Sequence, residues 1–303
     1  MYAYDTKKRP GASLSPQGTS EGAEADQNKS GYIYAPFVAP DLVEHSLGIN
    51  VIRHTKGKQL YPVIVEDQSL AEMEKLRSEK EKELKDTIDR LSDALQLMEE
   101  ELKGMPGWRS EDLRNQFNPK IYDKTIQGIT DFSRDLSVLQ RVCFIGHSNG
   151  QLLKSLSPQT TKLYIIGHGG PGVDILAADQ DMQRGMVTAE QIAKALSVGG
   201  LDPHYRDIRV RACYSADAQH PENFSMAELE KSAKPFGGIL GFGKNKKKPF
   251  AQSLKEELVK NGFPDISVSG YHGAGVTYSK EDWHARRLRN KGDVQASSVR
   301  RKF

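Results

Sequence analysis

The chain holds two cysteines and eight histidines among 303 residues, and one residue of each type stands where the two could react together. His168 lies in Ile165-Ile166-Gly167-His168-Gly169-Gly170, and Cys213 lies in Arg209-Val210-Arg211-Ala212-Cys213-Tyr214. Each follows a short apolar run, Leu163 to Ile166 in one case and Ile208 to Ala212 in the other. A free thiol is mostly protonated at neutral pH, so a nucleophilic cysteine needs a base beside it. An imidazole supplies that base and later returns the proton to the leaving amine. A lone cysteine at a strand end is more often a packed structural thiol; the His168 setting, with glycines on both sides, is what favours catalysis. Those glycines let a scissile carbonyl approach the backbone, and the amides of Gly169 and Cys213 are candidate donors to an oxyanion.

Two reactive side chains so far apart in sequence meet only if neighbouring elements deliver them to one edge. From Trp108 onwards, short apolar strands alternate with helices, which predicts an α/β domain with a largely parallel sheet. The strands are Val142 to Ile145, Leu163 to Ile166, Ile208 to Ala212 and Ile266 to Ser269. Thr188 is placed to cap a helix running to Leu196, and Phe250 to Val259 reads as another. In an open sheet of this kind ligands bind outside the carboxyl ends of the strands, where His168 and Cys213 both fall.

The N-terminal half is organised differently. Residues 1–31 are polar and Gly/Ser-rich, predicting a disordered leader. Residues 32–66 carry Ile49, Val51 and Pro62-Val63-Ile64-Val65 around Thr55-Lys56-Gly57-Lys58, which predicts a short hairpin. Residues 67–103 lack Gly and Pro and predict one long helix, with Leu84, Ile88, Leu91, Leu95, Met98 and Leu102 along one stripe. That stripe packs on the chain's own domain or serves self-association or a partner helix. Residues 104–137 read as a linker, 138–280 as the catalytic domain and 281–303 as an exposed basic tail.

Composition narrows the function class. A net charge of +3 without an aromatic-interleaved basic stripe gives no argument for nucleic acid. Two cysteines exclude a disulfide framework and suit a reducing compartment. No apolar run has the length of a membrane span, and the first residues lack the apolar core of a secretory signal peptide. No histidine and carboxylate spacing suggests a metal site, and no cofactor is required.

Two other motifs compete. Gly146-His147-Ser148-Asn149-Gly150 matches the nucleophile elbow of α/β-hydrolases, with Asp265 and His272 available downstream. However, the oxyanion-like glycines follow it rather than precede it, and only a dozen residues lead from Gly150 to Leu163. Gly238-Ile239-Leu240-Gly241-Phe242-Gly243-Lys244 approaches a phosphate-binding loop, but Asn245 replaces the magnesium-binding hydroxyl and no strand leads into it. A non-enzymatic reading also stands, in which an inactive domain serves as a scaffold for a partner of the long helix.

The run IIGHGG followed by RVRACYSAD resembles the caspase-like peptidases, whose signature sets a histidine about 50 residues before an Ala-Cys nucleophile. Within that clan it is most similar to the autoprocessing cysteine peptidase domains of RTX-type bacterial toxins. The resemblance covers about residues 138 to 280. It implies a caspase-like α/β/α sandwich with a mostly parallel sheet, and a cysteine endopeptidase of effector or toxin type using His168 and Cys213 on a host protein or on itself. It further implies secretion without a signal peptide and action in a reducing host compartment. Arg211 and Tyr214 stand where the toxin domains carry small or apolar residues. By the same resemblance, Ser269-Gly270-Tyr271-His272 would form the substrate-pairing edge. Lys244, Lys246, Lys247, Lys248, Arg286 and Arg287 would be candidate contacts for inositol hexakisphosphate or another host activator.

Overall fold

The computed structural model describes residues 30–103, 119–147, 150–237, 247–279 and 282–303. Most of the expected leader, the first part of the expected linker, Ser148, Lys244 and Lys246 lie outside the described residues.

The fold begins earlier than the sequence suggests. Strand β1 (Ser30–Tyr34), helix α1 (Pro40–Thr55) and strand β2 (Val63–Val65) follow in order, and β1 pairs with β2 in parallel. The hairpin expected over 32–66 is therefore a β-α-β unit, since a parallel pair needs a crossover and α1 supplies it. Pro40 occupies the start of α1, where its fixed φ suits the first turn. Seven consecutive residues, Ser46 to Ile52, are buried. A helix covered around most of its circumference has little polar face, and its period is hard to read.

The long helix is present as α2 (Leu70–Lys103), entered through a 3-10 turn at Asp67–Ser69. Where a linker was expected, α3 (Pro119–Leu139) runs back along it. Tyr122 Oη donates to Glu99 Oε1 at 3.2 Å, Leu91 meets the backbone at Gly128, and Arg77 Nη1 donates to the Val142 carbonyl at 3.2 Å. Those three contacts run in opposite directions along the two segments, so the helices are antiparallel. The stripe through Leu84 and Leu91 thus finds a partner helix within the chain.

The rest follows the α/β expectation: β3 (Phe144–Gly146), α4 (Gln151–Ser155), β4 (Thr161–Ile166), the hairpin β5 (Ile175–Ala177) and β6 (Met186–Thr188), α5 (Ala189–Val198), β7 (Asp207–Arg211), α6 (Met226–Ala233), α7 (Phe250–Lys260) and β8 (Ser267–Tyr271). Thr188 caps α5 in a capping box with Gln191, which satisfies two backbone donors at once. After β9 (Ala274–Val276), the expected basic tail is instead β10 (Ala285–Arg287), β11 (Val294–Gln295) and β12 (Arg300–Lys302). It is not exposed, because Ala285, Arg286, Leu288, Ala296 and Val299 are buried.

The main sheet has the order β12-β8-β7-β4-β1-β2-β3, parallel except for the edge strand β12. Strands from the N-terminal segment therefore sit inside the sheet, and the domain does not begin at residue 138. Strands buried on both faces read as continuous apolar runs. Here Leu163, Ile165, Ile208 and Val210 pack with α5 and α7, while Ile33, Val63, Val65 and Ile166 pack with α1, α2 and the end of α3. The architecture is α/β, with a large, mostly parallel sheet between two helical layers. Among the described residues no helix is long and apolar enough to cross a membrane.

Candidate active site

Strands β4 and β7 are adjacent and parallel, with Leu163 opposite Ile208 and Ile166 opposite Arg211. Carried on by two residues, that register sets His168 opposite Cys213, both just beyond the carboxyl ends of their strands. The approach is close: a methyl group added at Gly169 would lie 3.0 Å from the Cys213 carbonyl oxygen and 3.1 Å from Ala212 Cβ. Gly169 thus lets the His168 loop pass Cys213 closely, where a larger residue would press on Cys213 and Ala212. His168 is fixed by two backbone bonds with Ala177 on β5, its amide donating at 2.8 Å and its carbonyl accepting at 2.9 Å.

Two residues that the sequence reading overlooked complete the surroundings. Asp41 and His45 are four residues apart on α1 and so share one helical face. Asp41 Oδ2 lies 2.8 Å from His168 Nε2, at ion-pair distance but outside good hydrogen-bond alignment. The rings of His45 and His168 lie 4.7 Å apart, tilted by 46°. Burial, with His168, Arg211 and Arg286 adding repulsion, lowers the pKa of His45 to about 3, so it is neutral at physiological pH. Asp-x-x-x-His in the first turns after Pro40 was the available signal. It was missed because the segment read as a hairpin.

Cys213 is half-buried, and its sulfur accepts the Gly275 amide at 3.3 Å. It lines a small cavity of about 40 Å³ together with His45, Gly167, Arg211, Gly275, Thr277 and Arg286. Tyr214, next in sequence, has φ of +54°, a left-handed conformation uncommon for a bulky residue. Its amide donates to the Gly273 carbonyl at 2.9 Å. Among the described residues the Gly169 and Cys213 amides have no protein acceptor, so both expected oxyanion donors remain unused.

Three expected groupings are not brought together. Ser269, Gly270 and Tyr271 pair with Lys302, Arg301 and Arg300 of β12, and on its other side β8 pairs with β7. His272 donates its amide to the Val299 carbonyl at 3.0 Å and is buried. With both edges filled, that segment cannot accept a substrate strand. The strand edge facing Cys213 is instead β9, which among the described residues pairs only with β10.

The expected activator contacts also disperse. Arg286 is 1% exposed and turned inward, with Nη1 donating to the Ala212 carbonyl at 2.8 Å and to the Gly273 carbonyl at 3.3 Å. Lys248 pairs with Glu256 at 2.5 Å and Arg287 with Asp293 at 2.5 Å, while Lys247 forms a backbone bridge with Phe236. The carboxylates answer for the side chains that the sequence leaves as bare positive charge.

The hydrolase triad does not assemble either. Asp265 precedes β8 and sits near His204 and Arg206, whereas His272 follows β8 at the opposite end of the strand. His272 is bound to Asp217, with Nδ1 2.5 Å from Oδ1. Asp217 also accepts from Ser232 Oγ at 2.8 Å and from the Gly273 amide at 2.9 Å. Among the described residues no cluster of histidine, cysteine and carboxylate could hold a metal ion. Compared with known proteins, the chain matches no family model, no curated protein and no solved structure.

Proposed function

We propose that this protein is a caspase-like cysteine peptidase in which Cys213 attacks a peptide carbonyl and His168 moves the proton. The observation that supports this reading best is the register of β4 and β7, which ends in His168 and Cys213 on the same sheet edge beside a cavity. His168 takes the thiol proton as the sulfur bonds to the carbonyl carbon. It then gives that proton to the amine as the C–N bond breaks, leaving a thioester on Cys213. Water deprotonated by His168 attacks the thioester, releases the acid and returns the thiol. The Gly169 and Cys213 amides hold the oxyanion in both steps. Asp41 is a positioning residue whose carboxylate, 2.8 Å from His168 Nε2, holds the imidazole ring in place. A substrate strand lies along the free edge of β9, with main-chain bonds supplying affinity. The substrate is a host protein or the chain itself, as the toxin-domain resemblance suggests.

The test is intact-mass analysis of wild type and Cys213→Ala, each incubated alone, with cell lysate and with inositol hexakisphosphate. Fragments made by wild type and not by folded Cys213→Ala support the reading. Equal cleavage by both variants removes Cys213 from the mechanism and turns attention to Ser148.

A further inference from the structure

A second cavity opens at the carboxyl edge of the sheet, and the peptidase reading leaves it without a role. It has a volume of about 320 Å³ and lies among Tyr34, Phe37, Glu66, Met186, Val187 and Ile192. Tyr34 ends β1 and Glu66 follows β2, while Met186 and Val187 belong to β6 and Ile192 to α5. Tyr34 and Ile192 pack in the layer of α5 and α7, whereas Ile49, which lines the cavity beside Cys213, packs in the layer of α1 and α2. The two cavities share no lining residue. Strands β2 and β3 extend the sheet to one side of β1, and β4, β7 and β8 extend it to the other, so the strand order reverses at β1. An open α/β sheet takes its ligands at such a reversal.

The lining says what kind of ligand fits. Phe37 and Val187 are half-buried and Met186 is 54% exposed, so the walls offer apolar surface. Among the described residues that line the cavity, Glu66 is the only charged one. Tyr34 Oη donates to Glu66 Oε1 at 3.1 Å, and burial, with Glu66 adding to it, raises the pKa of the phenol, so it stays a donor. His147 Nε2 lies 3.6 Å from the same oxygen without a hydrogen bond. Among the described residues Glu66 Oε2 has no hydrogen-bond partner. Two donors at the start of α5 are spent inside its capping box, and Glu190 stands in its first turn, so that helix end offers little to an anion. A carboxylate with an open oxygen matches an ammonium, whose N–H bonds to it are charge-assisted, and aromatic faces favour a cation beside them. Small-molecule sites run from about 300 to 1,000 Å³, so this one suits a body of one or two rings.

We propose that this cavity binds a small organic amine, with its ammonium on Glu66 and a flat apolar body of about indole size against Phe37, Val187 and Ile192. Binding there needs neither Cys213 nor His168.

Calorimetric titration of the full chain with tryptamine, tryptophol and indole-3-propionate compares a cation, a neutral hydroxyl and an anion on one ring system. Tryptamine is expected to bind at least about tenfold tighter than tryptophol, and indole-3-propionate more weakly than either. Glu66→Gln keeps the size of the side chain and should bring tryptamine down to the affinity of tryptophol. Ala195→Phe, which narrows the cavity from α5, should weaken both. The Met186 methyl signal should shift in NMR spectra as tryptamine is added. Nα-acetyllysine methylamide presents the ammonium as a protein side chain does and should bind more weakly than tryptamine. Equal or tighter binding of tryptophol or the propionate overturns the preference for a cation. Tighter binding of the lysine derivative overturns the small-molecule ligand, and a tryptamine affinity unchanged in Glu66→Gln overturns the site on Glu66. Absence of binding by every probe up to about 1 mM overturns the proposal as a whole.

Discussion

Two histidine–carboxylate pairs lie at the carboxyl edge of the same sheet, and they differ in what surrounds them. His272 and Asp217 are 3% and 0% exposed, and Asp217 has further donors in Ser232 and Gly273. His168 and Asp41 are 16% and 37% exposed, and they stand beside a cavity lined by a thiol and two arginines without carboxylate partners. The first pair spends its bonding capacity inside the fold. The second leaves capacity open to a ligand, and a buried polar network that is only partly satisfied is costly unless something completes it. A histidine, a carboxylate and a hydroxyl in contact are therefore no sign of catalysis by themselves. Unfilled donors next to space are the better sign.

The largest expected effects separate the pairs by the quantity they change. His168→Ala should lower the cleavage rate by roughly 10²- to 10⁴-fold, with the urea midpoint close to that of wild type. Asp217→Ala should instead cost about 3–5 kcal/mol of stability, because it strands a buried imidazole and two other donors. Urea unfolding followed by circular dichroism, beside a fragment-release assay, measures both. If Asp217→Ala is as stable as wild type and inactive, the two pairs have been assigned the wrong way round.

The next effect sharpens the role of Asp41. Asp41→Asn keeps the shape of the side chain and removes its charge, so kcat should fall about 10- to 100-fold through a misplaced imidazole, with KM unchanged. Asp41→Glu should restore part of the rate. A rise in KM at constant kcat would mean that Asp41 contacts substrate instead.

A smaller effect appears in the pH dependence of stability. The folded pKa of His45 is depressed to about 3 from an ordinary value of 6.5. Between those values the unfolded chain binds a proton that the folded chain refuses. The contribution is therefore complete above about pH 6.5 and is lost as the pH falls towards 3. His284, which burial beside Arg211 and Arg286 also holds well below its ordinary value, adds loss of the same sign. Replacing His45 with Phe should flatten the fall in unfolding free energy over that window by up to about one proton in slope. An unchanged slope would show that His45 is hydrated in solution.

The sequence carried the strands that bring His168 and Cys213 to one sheet edge further than it carried the elements around them. The placement of His168 and Cys213 at neighbouring strand ends was legible because the apolar runs Leu163 to Ile166 and Ile208 to Ala212 lead directly into them. The cap at Thr188 and the helix at Phe250 followed from local chemistry. What was lost depends on distant partners. α1 hides its period under burial, and with it Asp41 and His45 stayed out of view. α3 carries Ile121, Thr125, Gly128 and Phe132 at helical spacing, but the sequence did not say which segment covers the α2 stripe, and this one passed for a linker. Arg286 and Arg287 looked equivalent as adjacent positive charges. Nothing local says that the first is turned inward to the Ala212 and Gly273 carbonyls while the second pairs with Asp293.

That adjacent pair gives the last and smallest expected effect. Arg287 is 56% exposed, and its bidentate contact with Asp293 joins neighbouring surface strands. An exposed pair of this kind contributes about 0–1 kcal/mol, because solvent screens it and two long side chains must be held still. Arg287→Ala should therefore leave the thermal midpoint almost unchanged. Arg286→Lys keeps the charge but loses the planar fork. It should cost about 1–3 kcal/mol in urea unfolding, because the fork that donates to the Ala212 and Gly273 carbonyls is lost. A loss from Arg287→Ala as large as that from Arg286→Lys would show that the surface pair with Asp293, rather than the inward fork, ties β10 to its neighbours.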